Sequence, residues 1–145
     1  MTPFRPLTDS VSVSAQIDTA DVAEAARMGF TMIVNNRPEH ESPDQTPGEV
    51  IAEAARAAGL SYRAIPITHS GFSEKQIDAL LDALDQAEGP VLCYCRSGTR
   101  STLLWALARA RRGDRPDAIA ERAQAAGYDV SAIRPMLQDM FAARD

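Results

Sequence analysis

The stretch Val91-Leu-Cys-Tyr-Cys95-Arg-Ser-Gly-Thr-Arg100-Ser101 decides how the rest of the chain is read. Its first half is an apolar run of strand length, and its second half is a Gly-containing turn that opens a helix. Ligands of open α/β sheets sit at the carboxyl ends of strands, and this turn lies at one. Successive backbone N–H groups in such a turn face a common cradle, to which a helix N-terminus adds a positive dipole end. Arg96, Ser97, Gly98 and Thr99 make up the expected anion-binding loop, with Gly98 permitting its tight backbone path. Arg100 offers two parallel donors to an anion held there.

A cysteine at the rim of that cradle is expected to be a thiolate near neutral pH. Helix N-termini and neighbouring Arg lower a thiol pKa from ~8.5 to ~3.5–7.5. Cys95 therefore combines a nucleophile with an anion site in one short loop. The plain alternative is a small buried thiol that ends a strand. Cys93, two residues back, shares a strand face with Cys95. It reads as core, with resolution of an oxidised or persulfidated Cys95 as the other option.

Outward from this loop, strand and helix patterns alternate. Ser12–Ala15 is a short strand, and Asp18 or Thr19 caps a helix that buries Val22, Ala25 and Ala26 and stops at Gly29. Phe30–Val34 is a buried strand. Asn35–Gln45, with Pro38 and Pro43, is a loop. Thr46-Pro47-Gly48-Glu49 has capping-box spacing and opens a helix with Val50, Ile51, Ala54, Ala55 and Ala58 as its buried stripe. Gly59 ends it, and Leu60–Ile67 is the next strand. A second capping box, Ser73 with Gln76, starts a helix carrying Ile77, Leu80, Leu81 and Leu84. After the loop come helices at about Ser101–Arg112, Pro116–Ala126 and Ser131–Ala143. The implied fold is α/β: a mostly parallel central sheet of about four to five strands flanked by helices, with an all-helical C-terminal end.

A chain of 145 residues fits a single domain, 1–145, with 45% hydrophobic and 24% charged residues. Fifteen basic and 20 acidic residues give a net charge of −5 without a basic block, which argues against nucleic acid or an anionic membrane as partner. No apolar run approaches the ~20 residues of a membrane span, and Met1-Thr-Pro-Phe-Arg5 lacks a signal-peptide layout. The expectation is a cytoplasmic protein with reduced thiols. Two cysteines, with only His40 and His69 beside them, do not make a structural zinc site. No metal or other cofactor is implied.

Cys95-Arg-Ser-Gly-Thr-Arg100 followed by Ser101 resembles the active loop of cysteine-dependent phosphatases and rhodaneses. Three flanking motifs narrow the resemblance: Val13-Ser-Ala-Gln16; Gly29-Phe30 before a strand ending Val34-Asn-Asn-Arg-Pro38; and Ala126-Gly-Tyr-Asp129. Together, from about residue 7 to 138, they resemble the phosphatase-like domain of the beta-lactamase hydrolase-like proteins. The resemblance implies a dual-specificity/tyrosine-phosphatase-like fold, with Cys95, Arg100 and Ser101 as the catalytic set and Ser101 hydrogen-bonded to the Cys95 thiolate. The helical end agrees with that fold, since a rhodanese is expected to return to a strand.

Two departures bear on the chemistry. Phosphatases of this group place five residues between Cys and Arg, and here there are four, a smaller ring for a group presenting three oxygens. Tyr94 stands where phosphatases often carry His. The stretch expected to carry an Asp general acid, Ile67-Thr-His-Ser-Gly71, has none; His69 is the candidate substitute. Sulfur transfer needs an acid less, because sulfite or a thiolate leaves readily. The leading expectation is a sulfurtransferase that forms a Cys95 persulfide from a small anionic sulfur donor, thiosulfate or a low-molecular-weight persulfide. A thiol acceptor or cyanide then removes the outer sulfur, and the family resemblance implies a persulfide-oxidising enzyme as companion. The alternative is a phosphatase acting on phosphotyrosine or another phosphate ester through a Cys95 phosphocysteine. A non-catalytic anion- or partner-binding module is the third reading.

Arg37, at the carboxyl edge of a strand, either faces the anion or pairs with Glu39 or Glu41. His40 reads as a solvated loop residue. Trp105 with Leu103, Leu104 and Leu107 reads as core. Arg109, Arg111, Arg112 and Arg115 cluster near a helix C-terminus, where cations are favoured.

Overall fold

The structure, a computed structural model, describes residues 4–144. Five strands, β1 (Arg5–Pro6), β2 (Val11–Ser14), β3 (Met32–Asn35), β4 (Ser61–Ala64) and β5 (Val91–Tyr94), form one sheet in the order β1-β2-β5-β3-β4. Only the β1–β2 pair is antiparallel. The helices are α1 (Thr19–Arg27), α2 (Gly48–Ala57), α3 (Glu74–Gln86), α4 (Thr99–Arg111), α5 (Pro116–Ala125) and α6 (Arg134–Ala142), with one 3-10 turn at Ser131–Ile133. No helix among the described residues is long and apolar enough to cross a membrane.

The strand carrying the loop lies at the centre, hydrogen-bonded on both sides, and its alternation feeds both cores. Val91 and Cys93 join a core with Leu80, Leu104, Leu107 and Leu137, on the face covered by α3 to α6. Leu92 and Tyr94 join the opposite core with Val22, Ile51 and Ala55 under α1 and α2. Strands buried on both faces read as continuous apolar runs, as Val91–Tyr94 does. The parallel register aligns Ser14, Tyr94 and Asn35, so the segments that follow, carrying Gln16, Cys95 and Arg37, emerge together at one end of the sheet.

Helix α4 is buried nearly all round, at Ser101, Thr102, Leu104, Trp105, Ala106, Leu107, Ala108 and Ala110. It therefore lacks the one-sided stripe of a surface helix. Leu103, expected in the core, is only half-buried. The capping boxes at Asp18, with Asp21, and at Ser73, with Gln76, both form.

Several boundaries differ from the sequence reading. Thr46 does not cap α2: Pro47 holds that position, and the Gly48 amide donates to Glu39 Oε1 at 2.9 Å instead. Of the stripe expected on α2, Ile51 and Ala55 are buried, whereas Val50 is exposed. The strand expected to run to Ile67 stops at Ala64, because Pro66 lacks a donor; the Ile65 and Ile67 amides still reach the Asn35 and Asn36 carbonyls. Helix α4 begins at Thr99, and the two-residue β1 was not expected. Three of the arginines clustered at the C-terminal end of α4 are engaged within the molecule: Arg109 with Asp114, Arg111 with Glu74 and Asp78, Arg112 with Asp85.

Candidate active site

Cys95 follows the last residue of β5, and the chain then turns sharply into α4. Gly98 makes the turn at φ +93°, a left-handed conformation that glycine adopts at little cost, and it is the N-cap of α4. The turn brings the Gly98 amide to Cys95 Sγ at 3.1 Å. The Thr99 amide is met by Ser97 Oγ at 3.4 Å, and Thr102 Oγ1 ties back to the Gly98 carbonyl at 2.9 Å. Arg96, Ser97 and Thr99 are exposed, whereas Cys95 is 0% exposed beneath them.

The motifs flanking the loop in sequence converge on it in space. The Gln16 amide donates to the Arg96 carbonyl at 3.2 Å. The Tyr128 hydroxyl donates to the Ser97 carbonyl at 3.1 Å. The buried Asn36 side chain accepts from Ser101 Oγ at 2.8 Å and donates to the Ile65 carbonyl at 2.8 Å. The Ser101 proton is therefore spent on Asn36 and not on the Cys95 sulfur, contrary to the role the resemblance implied.

Arg100 is held by Glu41, a loop carboxylate expected only as a partner of Arg37. Its Nη1 donates to Glu41 Oε2 at 2.7 Å and to the Ile67 carbonyl at 2.8 Å, and its Nη2 donates to Glu41 Oε1 at 2.9 Å. Arg37, buried in the same cluster, donates from Nε to Glu41 Oε1 at 2.9 Å, from Nη1 to Gln16 Oε1 at 3.0 Å and from Nη2 to Ser42 Oγ at 3.1 Å. Of the two alternatives for Arg37, the structure shows the pairing with Glu41, a carboxylate that Arg37 shares with Arg100. The Arg100 hydrogen bond above all, then that of Arg37, lowers the Glu41 pKa to about 2 against the opposing effect of burial. Glu41 in turn raises the pKa of Arg100, and a charge on Cys95 acts in the same direction.

Cys93 is buried, and burial together with the neighbouring Cys95 charge pushes its thiol up to about 12, which suits core packing and not redox exchange. His69 is exposed two residues beyond Ile67 and makes no hydrogen bond or ion pair among the described residues. His40 is exposed in a left-handed turn at φ +63°. No group of three or more metal-ligating side chains occurs among the described residues. The sequence reading passed over Glu41, Gln16, Asn36 and Tyr128 as site residues. The last three stood inside the motifs that carried the resemblance, whereas Glu41 had been named only as an ordinary partner of Arg37.

A sequence model of the phosphatase-like domain of beta-lactamase hydrolase-like proteins matches residues 3–112. The chain is 34% identical over 125 residues to the beta-lactamase hydrolase-like protein of Xylella fastidiosa strain Temecula1, covering 86% of this chain and 29% of that protein. It thus spans under a third of the length of the curated relatives it matches. Among solved structures, a candidate phosphatase of Neisseria meningitidis Z2491 is 33% identical, with TM-score 0.86 over 97% of this chain and 99% of that one. A cysteine-to-serine variant of TpbA from P. aeruginosa, in complex with pTyr, is 19% identical, with TM-score 0.64 over 97% and 91% of the two chains. At that identity the likeness concerns the fold, which is tyrosine/dual-specificity-phosphatase-like as the sequence implied. With the family model covering most of its length, the chain belongs to the phosphatase-like domain family of the beta-lactamase hydrolase-like proteins.

Proposed function

We propose that the protein transfers a small anionic group through a covalent intermediate on Cys95, and that the group is sulfane sulfur. One observation carries the choice of group. Glu41, the carboxyl group that meets Arg100, is held ionised between two guanidinium groups, so it has no proton to give a leaving oxygen. His69, the candidate substitute acid, is exposed and makes no hydrogen bond or ion pair among the described residues. Alkoxide leaving groups need such a proton, and sulfite does not.

In this reading the Cys95 thiolate attacks the outer sulfur of thiosulfate. The S–S bond breaks toward sulfite, which leaves with the electron pair, and Cys95 becomes a persulfide. Cyanide or an acceptor thiolate then attacks the outer sulfur, and the Cys95 thiolate returns. Gly98 N–H steadies negative charge on the cysteine sulfur, and Arg100 orients the donor anion. A thiol acceptor and a persulfide-oxidising companion are the partners this chemistry calls for.

Phosphate-ester hydrolysis is the second reading, and the comparisons favour it. The family is described as phosphatase-like, the Neisseria protein is a candidate phosphatase, and the TpbA variant holds pTyr. Here Cys95 would carry the phosphoryl group and water would release it.

One pair of assays separates the two. Intact mass after brief thiosulfate treatment, beside Cys95→Ser, is expected to show one added sulfur on the wild type alone, removed by cyanide as thiocyanate. Hydrolysis of an aryl phosphate with no sulfur adduct would replace the sulfur reading with the phosphoryl one.

A further inference from the structure

Arg100 carries five guanidinium N–H groups. Glu41 takes one on Nη1 and one on Nη2, and the Ile67 carbonyl takes the second on Nη1. The end of the guanidinium is therefore closed. Among the described residues no oxygen takes the N–H on Nε or the second on Nη2, and the Cys95 side chain lies within hydrogen-bonding reach of the guanidinium; those two N–H groups lie parallel along one edge, a fork spaced for two oxygens of one anion.

Glu41 itself sits on a fixed mount. Its amide donates to Gln45 Oε1 at 2.9 Å, and Gln45 Nε2 donates to the Pro38 carbonyl at 2.9 Å. Arg37, which grips the same carboxylate, is anchored by Gln16 and Ser42. Three elements thus converge on the carboxylate: the segment after β2 through Gln16, the loop after β3 through Arg37 and Gln45, and the start of α4 through Arg100.

We propose that Glu41 is the positioning residue of this site, holding Arg100 so that its Nε/Nη2 edge, and not its end, meets the donor anion. The inference rests on reading Cys95 and Arg100 as an anion-transfer pair. It deepens that reading by defining the substrate as an anion with two oxygens free to take a side-on fork, such as the sulfonate end of thiosulfate. An anion so bound leaves the Glu41 contact intact.

The test compares the rates at which Cys95 is alkylated by iodoacetate, an anion, and by iodoacetamide, its neutral analogue. Access to the buried sulfur is common to both reagents and cancels in the ratio. Glu41→Asp keeps the charge but withdraws the carboxylate by one methylene. It is expected to lower the iodoacetate-to-iodoacetamide ratio about fivefold and to raise KM for thiosulfate about tenfold with a smaller change in kcat. The iodoacetamide rate alone should stay within about a factor of two, because that reagent makes no use of the fork. Glu41→Gln is the second variant: it leaves the site more positive, so a charge effect alone raises the ratio, whereas lost positioning lowers it. An unchanged or rising ratio in both variants overturns the proposal. Arg100→Ala should abolish the anion preference; if it does not, the anion-pair reading itself fails, whatever Glu41 does.

Discussion

The Tyr128 hydroxyl donates to the Ser97 carbonyl at 3.1 Å, so the segment after α5 holds the candidate active loop from outside. The same ring closes over Gly98. A Cβ at that position would lie 2.8 Å from Tyr128 Cζ, on a backbone at φ +93°. Gly98→Ala therefore combines a left-handed alanine with a clash, at an expected cost of about 2 kcal/mol. Thermal unfolding should show a Tm lower by roughly 5–10 °C. Tyr128→Phe, which loses only the hydrogen bond, should cost about 1 kcal/mol. An unshifted Tm in Gly98→Ala would count against this account of the turn.

Glu41 makes stability depend on acid pH. Its folded pKa is lowered to about 2 from an ordinary 4.5, so its contribution is complete above the ordinary value and is lost as pH falls through about 2. Between those limits the unfolded chain binds more protons than the folded one, and stability rises with pH. Denaturant titrations at several pH values from 2 to 5 should show a steeper rise for the wild type than for Glu41→Gln. Parallel curves would mean that the carboxylate is not held as described.

The two cysteines should behave as different chemical species. Both sulfurs are buried, but Cys93 lies inside the sheet core with its thiol pushed up to about 12, whereas Cys95 ends the strand beneath the exposed loop, so a disulfide reagent at mild alkaline pH should titrate one thiol in the native protein and two after denaturation. Cys93→Ala should keep thiocyanate production while losing about 1–2 kcal/mol from the core. Cys95→Ser should abolish both the native thiol titre and the transfer. Loss of transfer in Cys93→Ala with the fold intact would restore a resolving role.

Ser101 and Asn36 are buried and bonded at 2.8 Å across the base of the loop. Ser101→Ala leaves Asn36 with its bond to the Ile65 carbonyl and should cost about 1 kcal/mol. Asn36→Ala strips partners from both the Ser101 hydroxyl and that carbonyl and should cost about 2–3 kcal/mol. Equal destabilisation by the two, measured by denaturant titration, would contradict this bonding pattern.

Much of this protein is written in short-range chemistry. The Val91–Ser101 strand-turn-helix, the helix stops at Gly29 and Gly59, and the caps at Asp18 and Ser73 depend on residues within a few positions of one another. Hydrophobic periodicity and turn chemistry report such features directly. For the same reason Cys95, Gly98 and Arg100 stood out as a site before any fold was known.

What the tertiary structure decided are the pairings between distant segments. The sheet order places β5 between β2 and β3, and that order, invisible to periodicity, brings the segments carrying Gln16, Cys95 and Arg37 to one end of the sheet. Glu41 read as one carboxylate in a polar loop, yet 59 positions separate it from the Arg100 it holds. Ser101 turned to Asn36, 65 positions away, and α2 took its N-terminal acceptor from Glu39 instead of Thr46. A hydrogen-bonding side chain satisfies itself with whichever partner the fold brings within about 3 Å. Local sequence determines which groups seek partners, and only the packed chain determines which partners they find.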